Sequence, residues 1–152
     1  MNASREVLLS ISQGVLWDWQ PPSFLPLYPT VRSREDLEKA THIVEEYLQV
    51  GALKEIPATS DIKFLIPWFI LSKKEPTGGV KHRLISDCRQ LNEHLVPPRF
   101  RLDNIQQVFP VLQKGMYAIK VDLKNAYFHL PVAESAKPYL CMQVGPKFYQ
   151  WQ

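Results

Sequence analysis

Leu37, Ala40, Val44, Tyr47 and Leu48 recur at helical spacing, and the pattern predicts a helix from about Ser33 to Val50. Ser33 can cap it, Glu35 and Asp36 suit the positive end of its dipole, and Gly51 follows as a stop. The opposite face is acidic and would repel anionic lipids, so the apolar stripe is read as core-facing. From Ala52 the period shortens toward alternation: ALKEI, then KFLIPWFILSKK, then VKHRLISD after the turn-forming EPTGG. The last two segments predict an antiparallel β-hairpin whose tip and flanks carry Lys73, Lys74, Lys81 and Arg83. Pro67 falls inside the first of them and cannot donate to a ladder, which argues for an edge strand or a bulge there.

Further along, a second helix is expected from Asp103 as cap through Ile105, Val108, Phe109 and Leu112 toward Gly115, with Pro110 disturbing its last turn. A strand, MYAIKVD, should follow. NAYFHLPVAESAKPYL then holds a short turn or helix, and YLCMQV and FYQWQ read as strands joined by the turn GPK. Residues 1–32 include WDWQPPSFLPLYP, whose prolines disfavour regular structure, and they are read as an extended Pro- and aromatic-rich arm. Residues 33–152 are then one folded unit of mixed α+β class.

Composition narrows the function classes. The chain has 152 residues, enough for one ordinary domain or part of a larger one, and is 45% hydrophobic and 22% charged, which excludes a wholly disordered chain. No apolar run approaches the roughly 20 residues of a membrane span, and the N-terminus lacks a signal-peptide layout, so no membrane partner is expected. Cys88 and Cys141 have no zinc-ligand spacing and are read as reduced thiols, which favours an intracellular location. Charge is uneven. Residues 1–60 hold 5 Lys and Arg against 8 Asp and Glu, whereas residues 61–152 hold 13 against 7. That asymmetry is of the kind a polyanionic partner selects, although a solvated face produces it too.

Asp122 falls at the carboxyl end of the expected strand, where it could either bind a hard cation or cap the following turn. The order of motifs resembles the amino-terminal part of a reverse transcriptase of the retroviral and retrotransposon kind, over about Leu48 to Gln152. KVDLKNAYFHLPV is similar to that family's first metal-binding motif, and ILSKKEPTGGVKHRLISDCRQLN to its fingers hairpin.

The resemblance implies right-hand polymerase fingers with an incomplete palm, and an activity of template-directed DNA synthesis by two-metal nucleotidyl transfer. It implies that Asp122, aided by the Leu123 carbonyl, binds Mg²⁺ or Mn²⁺, and that Tyr127 is the steric gate against a 2′-hydroxyl. The ordinary buried-aromatic role suits the adjacent Phe128 better. Lys73 and Arg83 would meet the incoming deoxynucleoside triphosphate, beside Asn125, Ala126 and Tyr127. The assignment between Lys73 and Lys74 is open by one position. Lys74, Lys81, Arg89 and Asn92 would contact an RNA or DNA template-primer, and Asp87 would brace the fingers by a salt bridge. Asn125 departs from the family's common acid or serine.

Such a polymerase also needs a Tyr-x-Asp-Asp turn, and no Asp-Asp pair occurs in this sequence. The expectation is therefore a fragment, inactive as an isolated chain and needing the remainder of a polymerase chain. The alternative is a non-catalytic nucleic-acid-binding remnant of a retroelement.

Overall fold

The computed structural model describes residues 5–15, 32–76, 78–96 and 104–152. Helix α1 spans Arg5–Gln13 and α2 spans Arg34–Gln49. Strands follow at Leu53–Ile56 (β1), Trp68–Lys74 (β2) and Val80–Ser86 (β3), then short helices Arg89–Asn92 (α3) and Ile105–Val108 (α4), and strands Cys141–Val144 (β4) and Lys147–Trp151 (β5). The result is a mixed α+β fold with an antiparallel hairpin, β2–β3, and a separate three-stranded antiparallel sheet in the order β1-β5-β4.

α2 forms where its pattern predicts. The Ser33 hydroxyl accepts the Asp36 N–H at 3.1 Å, satisfying one of the unpaired donors of the first turn. Its stripe buries Ala40, Ile43 and Val44 against Leu53, Trp68, Leu84, Met142, Val144 and Tyr149, so one helix covers both sheets. Trp68 is only 1% exposed, and its indole N–H donates to the Gln143 carbonyl at 2.7 Å, as a buried indole requires. A second cluster, Phe64, Ile66, Leu91 and Leu140, joins the hairpin base to the segment before β4.

Four expectations are corrected. Pro67 does not lie inside a strand. β2 begins just after it, and the Pro67 carbonyl accepts the Asp87 N–H at 2.7 Å, closing the hairpin base without needing a proline donor. The long second helix is a single turn, α4, followed by a 3-10 turn over Phe109–Val111 in which Pro110 sits. Its cap is Asn104, in a reciprocal capping box with Gln107, while Asp103 lies outside the described residues. Part of the arm is helical rather than extended, since α1 precedes the proline-rich stretch, and that stretch also lies outside the described residues.

The fourth correction matters most. The strand expected over Met116 to Asp122 does not form, and these residues run exposed without a ladder partner. Tyr117 is 100% exposed and Ile119 is 90% exposed. A strand is stable only when neighbours take its N–H and C=O groups and its apolar face, and none of the described residues does so here.

Gly14 ties α1 to the body. It has φ +87°, and a Cβ there would stand 2.5 Å from the Ala133 backbone nitrogen, so only glycine fits. Val15 then donates to the Pro131 carbonyl at 3.0 Å.

Candidate nucleic-acid interface

The hairpin register sorts its side chains by face. Trp68, Ile70 and Leu84 point toward the core, and Phe69, Leu71, Lys73, Lys81 and Arg83 point outward, as the period of two demands. Lys73 stands directly opposite Lys81, and Leu71 opposite Arg83. Like charges facing each other across a ladder repel, and a bound anion would relieve that repulsion. None of the ion pairs among the described residues uses Lys73, Lys74, Lys81 or Arg83. These four residues, with Glu75 and Pro76, line a cleft of about 160 Å³ at the tip. Chemically it is a cluster of fixed cations with one carboxylate at its edge, suited to phosphate oxygens rather than to an apolar ligand.

At the other end of the hairpin, Arg89 is committed to Asp87. Its Nε and Nη2 donate to the two carboxylate oxygens at 2.9 and 2.6 Å, and its backbone N–H adds a third bond at 3.3 Å. Hydrogen bonding from Arg89 holds the Asp87 carboxyl down to about 2. Asp87 is thus a brace for Arg89, whose side chain is still 87% exposed and retains donors for a phosphate. Pro67, Asp87, Arg89, Gln90 and Glu93 line a cleft of about 370 Å³, and Asn92 is exposed on α3 beside it.

Asp122 and Leu123 lie on the exposed run after Gly115 and line neither of these clefts. Among the described residues no group of three His, Cys, Asp or Glu side chains comes together. Asp122 and Leu123 offer one carboxylate and one backbone carbonyl oxygen, and Mg²⁺ ordinarily completes its six oxygen ligands with waters and substrate phosphates. Asn125 has φ +54°, a left-handed conformation that asparagine tolerates better than most residues, and it starts the 3-10 turn Ala126–His129. Tyr127 is 92% exposed, whereas Phe128 turns inward. Both free thiols are accounted for: Cys141 is buried and Cys88 half-buried.

Sequence reasoning passed over the ring cluster of Tyr47, Phe128 and Trp151, with centroids 5.1 to 5.7 Å apart. These residues are far apart in the chain, so no local period announces the contact. The Asn104–Gln107 box, by contrast, was readable from its spacing. Among the described residues no helix is long and apolar enough to cross a membrane.

No family model matches the sequence. The chain is 25% identical, over 82% of its length, to a polyprotein of Cassava vein mosaic virus, of which it covers 19%. It is 26% identical over 76% of its length to the retrovirus-related Pol polyprotein from transposon 297 of Drosophila melanogaster, covering 10% of that protein. It is also 29% identical over 95% of its length to the Pol-related polyprotein of a mouse intracisternal A-particle, covering 16%. The chain therefore spans less than a fifth of these relatives, and it is distantly related to the Pol polyproteins of retroviruses and retrotransposons.

Proposed function

We propose, from that distant kinship, that this chain is the nucleic-acid-gripping part of a Pol-type reverse transcriptase and does not perform nucleotidyl transfer by itself. The observation that carries the reading is the group of Lys73, Lys74, Lys81 and Arg83 around the cleft at the hairpin tip, in which Lys73 and Lys81 face each other across the ladder. Arg89, braced by Asp87, supplies a further phosphate contact, and Asn92 sits beside it. The four hairpin cations act on phosphates of a template-primer, or on those of a deoxynucleoside triphosphate through Lys73 and Arg83.

A finer reading makes the chain the fingers and the start of the palm. Its support is the alternation Tyr117, Ile119, Val121, Leu123, which puts four exposed apolar side chains at every second position. The remainder of a polymerase chain would pair with this segment, cover that face, and bring further acids beside Asp122. Asp122 and the Leu123 carbonyl would then hold Mg²⁺ or Mn²⁺, which supplies Lewis-acid stabilisation of the transferring phosphoryl group. Asn125 and Ala126 would lie against the nucleotide, and Tyr127 would close the space under the sugar.

Fluorescence anisotropy with a labelled single-stranded oligonucleotide tests the grip. Four phosphate contacts give a log–log salt slope of about −3, and each alanine replacement at Lys73, Lys81 or Arg83 flattens it by about 0.7. A slope near zero, or one unmoved by these replacements, overturns the proposal. Primer extension with Mg²⁺ should yield no incorporation, and robust synthesis by this chain would reinstate catalysis.

A further inference from the structure

From Asn104 to Pro131 every residue is exposed except Phe128. Its ring meets Tyr47 of α2 edge-on at 5.1 Å and Trp151 of β5 at 5.7 Å, and those two rings lie 5.5 Å from each other. Tyr47 packs on the main core, and Trp151 packs on both hydrophobic clusters, so Phe128 is clamped against the stable body.

The turn around it is closed locally. The Phe128 N–H donates to the Asn125 carbonyl at 2.9 Å, and His129 Nε2 lies 3.2 Å from the Lys124 carbonyl oxygen. Residues 124–129 therefore behave as one clip, with Phe128 inward, Tyr127 outward and Asp122 two residues upstream. Upstream of the clip, the hydrogen bonds described for residues 104–123 are all local, such as Gln107 to Asn104 and Met116 to Gln113. Tyr47 belongs to α2, whose buried stripe packs on Trp68 and Leu84 of the hairpin, so the clamp and the strand carrying Arg83 are held by the same helix.

We propose that Phe128 is a positioning residue: clamped by Tyr47 and Trp151, it fixes where the segment carrying Asp122 and Tyr127 stands relative to Arg83. The nucleotide-related part of this role rests on reading Asp122, Tyr127 and Arg83 as nucleotide-facing groups. A ring in this position holds the approach of two half-sites without touching substrate, and small misplacements of that kind are costly to a site.

Two measurements on the whole chain test the idea. In a Cys88→Ala, Cys141→Ala background, nitroxide labels at Lys81→Cys and Lys124→Cys report the hairpin-to-clip distance distribution. Phe128→Ala should broaden it, and Phe128→Tyr, which keeps the ring, should restore the narrow distribution. An unchanged distribution in Phe128→Ala overturns the proposal. If Phe128→Ala loses its circular dichroism, Phe128→Leu makes the same comparison with a smaller packing defect.

In the unlabelled protein, dATP binding in the presence of Mn²⁺ should weaken on the order of tenfold in Phe128→Ala and recover in Phe128→Tyr. A broadened distance with no dATP binding by the wild-type chain would overturn the nucleotide reading and support the positioning role. A narrow distance with intact dATP binding would do the reverse.

Discussion

The body built from α2, the β1-β5-β4 sheet and the hairpin base differs from the run of residues 104–131 in almost every physical respect. The body buries Trp68, Phe64, Val44 and Met142 almost completely, whereas the run leaves Phe109, Tyr117, Ile119 and Val121 in water. The two do not differ in apolar content so much as in partners. Apolar residues in the body find a second layer, and those in the run find none among the described residues. Stability therefore resides in one region and the candidate metal ligand in the other, with Phe128 as their bridge.

The largest expected effect breaks this contrast if it fails. Trp68→Ala empties a buried site beneath α2 and removes the donor to the Gln143 carbonyl, so it should cost about 3–5 kcal/mol in urea denaturation. Ile119→Ala, although also a large-to-small change, should stay within about 0.5 kcal/mol because the side chain is already solvated. Equal costs at the two positions would mean that the exposed run is packed in solution.

That contrast also explains what could be read from sequence. α2 and the hairpin were legible because their signals are local: a cap, a 3.6 period, and two alternating segments about a Gly-containing turn. The hairpin cations were legible for the same reason, and the salt bridge that Asp87 makes is a local one, to Arg89 two residues along. MYAIKVD carries an equally good strand pattern, but pattern alone does not supply a neighbouring strand, and Asp122 consequently stands on exposed chain rather than at a sheet end. The Phe128 clamp joins positions 47, 128 and 151, and contacts of that separation leave no trace in a local window.

A smaller effect sharpens the comparison at the two thiols. Burial pushes the Cys141 thiol up to about 11, and burial with the Asp87 charge also raises Cys88. Cys88 sits half-exposed at the N-cap of α3, between the body and the exposed run, while Cys141 has no solvent exposure in β4. Because the thiolate is the reactive form, iodoacetamide at neutral pH should modify Cys88 first and Cys141 only after global unfolding. Peptide mass mapping over time measures the order, and simultaneous modification would show that β4 opens as readily as the edge.

The smallest expected effect concerns the brace at the hairpin base. Asp87 titrates at about 2 in the folded chain, below its ordinary 3.8, chiefly because Arg89 hydrogen-bonds its charged form. A depressed carboxylate stabilises the fold above the unfolded value and loses that contribution as pH falls from about 4 toward 2. Since the Arg89 side chain is 87% exposed, solvent and salt screen the pair, and the change in overall stability should be slight. The site-specific titration should nevertheless be clear. Carbon-detected NMR of the Asp87 carboxyl should give a midpoint near 2 at low salt, and Arg89→Ala should return it to the usual carboxylate range. High salt should move the wild-type midpoint part of the way. A midpoint indifferent to Arg89 would mean that the guanidinium is not held by Asp87 in solution, and the proposed phosphate contact of Arg89 would then lose its fixed orientation.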